Sequence, residues 1–295
     1  MEETLNLDTP IYRFIDFFAL VDTLRNQRLH FSAPSTFPDK NEGLEIIYNS
    51  LLAAVESNDG SYAGIANQED ILRIHHRLKQ SSFICSWTRD ADSIAIWSLY
   101  SADRCGVRIS STVSKLNAAI DDFARNYTMQ LQFNRFGLTD GASYAFIQGA
   151  TVREVSYDNL RALHENILKN GQSPEVLSDL EKKNVLESFT LKDKAYIHEQ
   201  EIRGIVTCGS ANPSESTGPY KLTDSAPWLD GNHVYVDIHD DFIDSVAIDP
   251  RCPRYKREII EGYLHDRNIS LSMSRAFGYL PDELNFATSG NTGEK

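Results

Sequence analysis

Short strand-like runs recur along this chain at irregular intervals, and that spacing limits the fold more than any other feature of the sequence. Ile11-Tyr12-Arg13-Phe14-Ile15 alternates apolar and polar residues as a half-buried strand does. Leu29-His30-Phe31-Ser32 follows a short amphipathic helix carrying Phe18, Val21 and Leu24, and Phe83-Ile84-Cys85-Ser86-Trp87 is a compact apolar run. Gly106 to Ile109, Val152 to Tyr157, Ile202 to Cys208, Phe242 to Ile248 and Ile269 to Ser272 read as further strands. Between them lie helical patterns of unequal length: Leu44 to Val55, Gln68 to Leu78, Ser93 to Ser101, Asn159 to Lys169, Pro174 to Leu191 and Pro253 to Asn268. The last of these carries Ile259, Ile260, Tyr263 and Leu264 on the side expected to be buried. No regular strand-helix-strand period and no fixed-length repeat joins these elements, so the expected class is α+β and not a doubly wound sheet. Ordered signals run from Ile11 to Tyr279 without a clear linker, which predicts one domain over 11–279; the polar tail 285–295 is expected to be disordered.

Charge and composition narrow the function. The chain has 29 basic and 42 acidic residues, a formal net charge of −13, which opposes non-specific attraction to phosphate backbones or anionic membranes. A nucleic-acid substrate would need a local surface that overcomes this field. The four cysteines, Cys85, Cys105, Cys208 and Cys252, lack paired-ligand spacing and read as reduced thiols, so no metal is expected. The acidic start, MEETLNLDTP, lacks a signal-peptide pattern, and no apolar run reaches the roughly 20 residues that span a bilayer; a cytoplasmic location follows as the expectation. No G-x-G-x-x-G or P-loop pattern is present, which speaks against an ordinary dinucleotide fold or kinase-type site.

Three clusters can carry chemistry. In His198-Glu199-Gln200-Glu201-Ile202-Arg203, two glutamates two residues apart at the start of an apolar strand should share one face. Such a pair can accept a hydrogen bond from a sugar hydroxyl and stabilise an oxocarbenium-like centre, with Arg203 as compensating cation. Taken alone, it is more often a solvated strand face with an ion pair. Tyr12-Arg13 places an aromatic beside a fork of donors suited to a pyrophosphate, although a surface arginine is the commoner explanation. Cys85-Ser86-Trp87-Thr88, followed by Asp92, Trp97 and Tyr100, sets hydroxyls ahead of an aromatic helix face that could flank a nicotinamide or adenine ring. Core packing explains Trp97 and Tyr100 as well or better. Asp39 and Glu42 read as caps of a helix starting near Gly43, and His75 and His76 take no role.

Together these segments resemble a large bacterial family defined by a domain of unknown function. Its Y-H-Y-T-like strand is matched by Tyr12-Arg13-Phe14-Ile15, its N-D-P-x-E loop by Phe37-Pro38-Asp39-Lys40-Asn41-Glu42, and its C-F-S strand by Cys85-Ser86-Trp87. The D-x-x-x-M-W-x-x-Y-A helix is matched by Asp92 to Ala102, the G-V-x-I strand by Gly106 to Ile109, and E-x-E-x-R by Glu199, Glu201 and Arg203. A closing pattern falls on Ile248-Asp249-Pro250-Arg251, Leu264 and Ser274-Arg275.

The order of these features is similar to that of ADP-ribosyltransferases. The resemblance implies an ADP-ribosyltransferase-like fold of mixed sheets with surrounding helices and NAD as co-substrate without a metal. It further implies an acceptor that is RNA or, failing that, protein, and a toxin or phage-defence role with an antitoxin partner. It assigns Glu201 as the catalytic acid, Glu199 as the group that aligns or deprotonates the acceptor, and Arg13 as the phosphate or ribose clamp. Tyr12, Ser32, Ser86, Trp97, Tyr100 and Arg203 would complete the NAD site. The family's first-strand histidine is Arg13 here, and its N-D-P loop reads Pro38-Asp39-Lys40, departures that move the expected site toward the arginine-type transferases. An NAD glycohydrolase, a non-catalytic binding module and a metal-dependent nuclease built on Asp39, Glu42, Glu199 and Glu201 are the competing readings.

Overall fold

The computed structural model describes residues 5–39, 42, 79, 82–134, 144–162, 165, 189–211 and 232–278. The helices expected over 44–55, 68–78 and most of 174–191, and the tail 285–295, lie outside the described residues.

Strand β1 (Pro10–Ile15) runs into helix α1 (Phe17–Asn26), which Asp16 caps by accepting from the Ala19 amide at 2.9 Å. Gln27, in the left-handed conformation with φ 50°, ends the helix and turns the chain into β2 (Arg28–Ser32). β3 (Ser82–Thr88), α2 (Ile94–Tyr100) and β4 (Val107–Thr112) follow, and then α3 (Val113–Asn134) and β5 (Tyr144–Glu154). The short strands β6 (Ser156–Asp158) and β7 (Leu191–Asp193) precede β8 (Glu201–Ala211) and β9 (His233–Asp237). The described chain ends with β10 (Ser245–Ile248), α4 (Arg254–His265) and β11 (Leu271–Ser272).

The class is α+β, with a largely antiparallel nine-stranded sheet. Its path is β11-β10-β4-β1-β3-β2-β9, with β8 on the other edge of β3 and β5 beyond β8; within this sheet, among the described residues, only β10 and β11 pair in parallel. No helix among the described residues is long and apolar enough to cross a membrane.

Strand β3 decides where a site can form. Along one edge it pairs with β8 over its whole length, Ser82 opposite Thr207 through Thr88 opposite Glu201. Along the other edge it meets β1 only at Tyr12↔Thr88 and β2 only at Ser32↔Ile84. β1 and β2 therefore part from each other around β3 and leave a fork opposite Ser86.

Side-chain alternation distributes the two faces. Ile11, Phe83, Cys85, Trp87, Ile202 and Val206 enter the main core, where α3 contributes Val113, Leu116 and Ile120. Gly204 lets that helix approach, since a Cβ there would lie 2.9 Å from Ile120 Cδ1. On the other face Phe14, Ile96, Trp97 and Ala276 form a smaller cluster against Tyr12.

Several expectations are corrected. The run Val152 to Tyr157 is not one strand: β5 ends at Glu154, and β6 starts a separate two-stranded parallel sheet with β7. Val155 still donates its amide to Glu201 O at the start of β8, at 2.9 Å, and Ser156 turns to the Thr190 carbonyl at 2.7 Å. Leu191 belongs to a strand and not to a helix end. Only 245–248 of the Phe242 to Ile248 run is strand. In α4, Ile260 and Leu264 are buried while Ile259 is exposed.

Candidate functional site

A cavity of about 630 Å³ opens on the face of the smaller cluster, at the fork. Register explains its floor. Tyr12 lies opposite Thr88, Thr88 opposite Glu201 and Ser86 opposite Arg203, so these side chains share one face by period two. Tyr12, Arg13, Ser32, Ser86, Tyr100, Glu199 and Glu201, drawn from six separate segments, all line the cavity.

Arg13 has the opposite parity and occupies the fork itself. Its Nη1 donates to Cys85 Sγ at 2.8 Å and its Nη2 to His30 O at 3.3 Å, so it bridges β3 and β2 while facing the cavity. Burial pushes the Cys85 thiol above its usual pKa despite the nearby Arg13, and the thiol stays neutral.

The two glutamates converge by a different route from the expected pleat. Glu199 ends a 3-10 turn over Lys194–Glu199, and Gln200, left-handed at φ 41°, separates it from the strand. Lys192 on β7 joins them: its Nζ lies 2.5 Å from Glu199 Oε2 and 3.3 Å from Glu201 Oε2. The backbone of Glu201 is held as firmly, its amide donating to the Tyr157 hydroxyl at 2.7 Å. Burial pushes the Tyr157 phenol up to about 12, which keeps it neutral in that position.

Arg203, expected at the cofactor, also lines the cavity, and its donors are committed to protein groups. It is fully buried, and all five of its N–H donors are engaged. Nε and one Nη2 hydrogen meet the Glu201 carboxylate, both at 2.9 Å. The others hold Glu42 at 2.8 and 2.7 Å and the Phe189 carbonyl at 2.7 Å. Glu42 is thus a buried partner of Arg203; the helix it was expected to cap lies outside the described residues. Trp97, also expected at the cofactor, is not among the residues lining the cavity. It is fully buried, donates Nε1 to Ser274 at 3.1 Å and meets Phe14 edge to face at 4.7 Å, away from the cavity wall. Tyr100, 55 % exposed, remains at the cavity.

Three carboxylates, Glu42, Glu199 and Glu201, thereby surround two cations, Lys192 and Arg203, and one negative charge is left over. Burial pushes the Glu201 carboxyl upward, but the Arg203 guanidinium outweighs it, helped by Lys192 and a hydrogen bond from Ser86, and the group is held at about 2. Burial also opposes the charge on Lys192, and Glu201 with Glu199 overrides it and raises the ammonium above its usual value. The floor of the cavity is therefore an ionised, rigidly aimed carboxylate in a partly dry recess, which is the environment that stabilises a developing positive charge.

Lys192 and Tyr157 have no role in the sequence reading, and Glu42 appears there only as a helix cap, in the loop match and among the carboxylates of the nuclease reading. The E-x-E-x-R spacing could have pointed to a second acid for Arg203, since five donors on a buried strand require more than one carboxylate. Nothing local marks Lys192, because its two glutamates reach it through a turn and a strand start. Compared with known proteins, the chain matches no family model, no curated protein and no solved structure.

Proposed function

We propose that the forked cleft binds NAD and that the chain is an ADP-ribosyltransferase acting on a cellular macromolecule, with RNA favoured over protein and a toxin or phage-defence role. One observation carries this reading: Arg13, Ser86, Tyr100, Glu199 and Glu201, far apart in sequence, share one cavity whose floor is an ionised glutamate. The cavity volume falls in the range of about 300–1,000 Å³ usual for small-molecule sites, and the mixed antiparallel sheet is compatible with the fold class of such transferases.

In this mechanism Glu201 accepts a hydrogen bond from the 2′-hydroxyl of the nicotinamide ribose. The bond between the ribose C1′ and the nicotinamide nitrogen breaks, its electron pair leaves with nicotinamide, and the carboxylate stabilises the oxocarbenium-like centre. An acceptor oxygen or nitrogen then bonds to C1′ and gives its proton to Glu199 or water. Arg13 faces the pyrophosphate, and Tyr100 flanks the nicotinamide ring.

Incubation of the protein with labelled NAD and separate pools of RNA, DNA and protein tests the proposal. Label entering one pool with the wild type and none with Glu201→Gln supports it, and intact NAD in every pool overturns it. Release of free ADP-ribose alone would identify a glycohydrolase. A non-catalytic module is the second reading, favoured by the close engagement of Glu201 with Arg203, Lys192 and Ser86; function retained in Glu201→Gln would establish it.

A further inference from the structure

The outer ribbon of β2 and β9 gathers flat side chains that the chemistry above does not use. Its register sets His30 opposite Tyr235 and Ser32 opposite His233. Leu29 and Phe31 enter the main core, so alternation sends Arg28, His30 and Ser32 to the face that carries the cavity. The His30 and His233 rings lie 4.9 Å apart at 31°, and Tyr235 stands more nearly edge-on to both, at 5.5 and 5.0 Å. The Arg28 guanidinium carbon sits 3.7 Å from the centre of the Tyr235 ring. His30 and Tyr235 are both exposed, so core packing does not account for the grouping.

The ribbon is joined to the cavity through His30. Its Nδ1 hydrogen-bonds Ser32, a cavity-lining residue, at 3.2 Å, and its carbonyl accepts from Arg13 at 3.3 Å. Burial, with His233 and Arg13 nearby, lowers the His30 pKa and favours an uncharged ring at neutral pH.

We propose that this ribbon is a stacking platform for an unpaired base of a single-stranded RNA, which holds the adjoining nucleotide at the mouth of the cavity. Aromatic rings and a guanidinium plane offer π-faces to any base, whereas a duplex keeps its bases stacked inside. Asp22 lies 3.5 Å from Arg28, and Asp237 is its register neighbour on β9, so the surface has little cationic excess. Recognition through bases and not through a track of phosphates suits a chain of net charge −13 and predicts a shallow salt dependence. The role of the platform in catalysis rests on the transferase reading, but its ligand does not.

The test is fluorescence anisotropy without NAD, using one labelled oligoribonucleotide as a single strand and as a duplex. The single strand should bind in preference to the duplex, and the double substitution His30→Ala, Tyr235→Ala should weaken it about tenfold or more. Tyr235→Phe, which keeps the ring, should bind as the wild type does. Equal affinity of wild type and double variant, or equal affinity for single strand and duplex, overturns the platform. A wild type that ignores the oligonucleotide and labels protein overturns it in favour of a polypeptide acceptor. If NAD is never consumed while single-strand binding still depends on these rings, the platform stands and the catalytic reading alone falls.

Discussion

The two terminal nitrogens of Arg203 hold both carboxylate oxygens of Glu42 at 2.8 and 2.7 Å across 161 residues of sequence. With the second Nη1 hydrogen held by the Phe189 carbonyl, this bidentate clamp leaves Nε and the second Nη2 hydrogen to aim Glu201, so Glu42 orients the candidate catalytic acid without facing it directly. The network is a device for holding geometry; burying charges costs desolvation that their mutual attraction only partly offsets.

Removing one member leaves a buried charge without its partner. Glu42→Ala is expected to destabilise the fold by about 3–5 kcal/mol in urea denaturation. Arg254→Ala, which removes an exposed pair with Glu258 on α4, should have no measurable effect in the same assay.

Glu201→Gln keeps the size of the side chain and loses the charge that the proposed mechanism sets against a ribosyl cation. Nicotinamide release should fall about 10²–10³-fold in kcat. Glu199→Gln should reduce transfer to the acceptor more than release of nicotinamide, a split measurable by following both products. An equal loss of the two products would remove the acceptor role from Glu199.

The acid limb of stability follows from the same carboxylate. Its pKa in the folded protein, about 2, lies below its ordinary value of 4.5, so its contribution is fully present above the ordinary value and is lost as pH falls through the folded one. The stability gap between wild type and Glu201→Gln should therefore be constant from about pH 6 to 8 and shrink from about pH 5 toward 2. By the same reasoning, titration of Glu201 should give no fall in kcat/KM between about pH 5 and 8. A half-maximal rate near pH 6 that disappears in Glu201→Gln would contradict the depressed pKa.

Trp97 and Tyr100 belong to one helix and should respond differently. Trp97→Ala, at a fully buried position, is expected to cost about 3–5 kcal/mol of stability. Tyr100→Ala should leave the thermal midpoint near that of the wild type and raise the KM for NAD by up to about tenfold, through loss of a ring contact. Calorimetry and initial rates on the two variants separate a core residue from a cavity residue.

Local sequence determined the elements whose signal is local. The alternation of Ile11 to Ile15, the helical pattern from Ser93 to Ser101 and the apolar run around Cys85 are readable because strand pleat and helix pitch are properties of a few neighbouring residues. The clustering of Arg13, Ser86, Tyr100, Glu199 and Glu201 was legible only as an ordered set of motifs. Their meeting in space depends on β3 pairing with β8 along one edge while touching β1 and β2 at single points on the other. Side-chain roles were less legible still. Trp97 and Tyr100 lie three positions apart, close to one helical turn, and which of them meets the core depends on what packs above α2. Arg203 holds Glu201 and Glu42 together because tertiary structure brought Glu42 to it, and Lys192 joined the site because a second small sheet placed β7 beside the start of β8. Hydrogen-bond saturation and charge pairing between distant segments depend on three-dimensional distance, which short-range pattern in a chain does not encode.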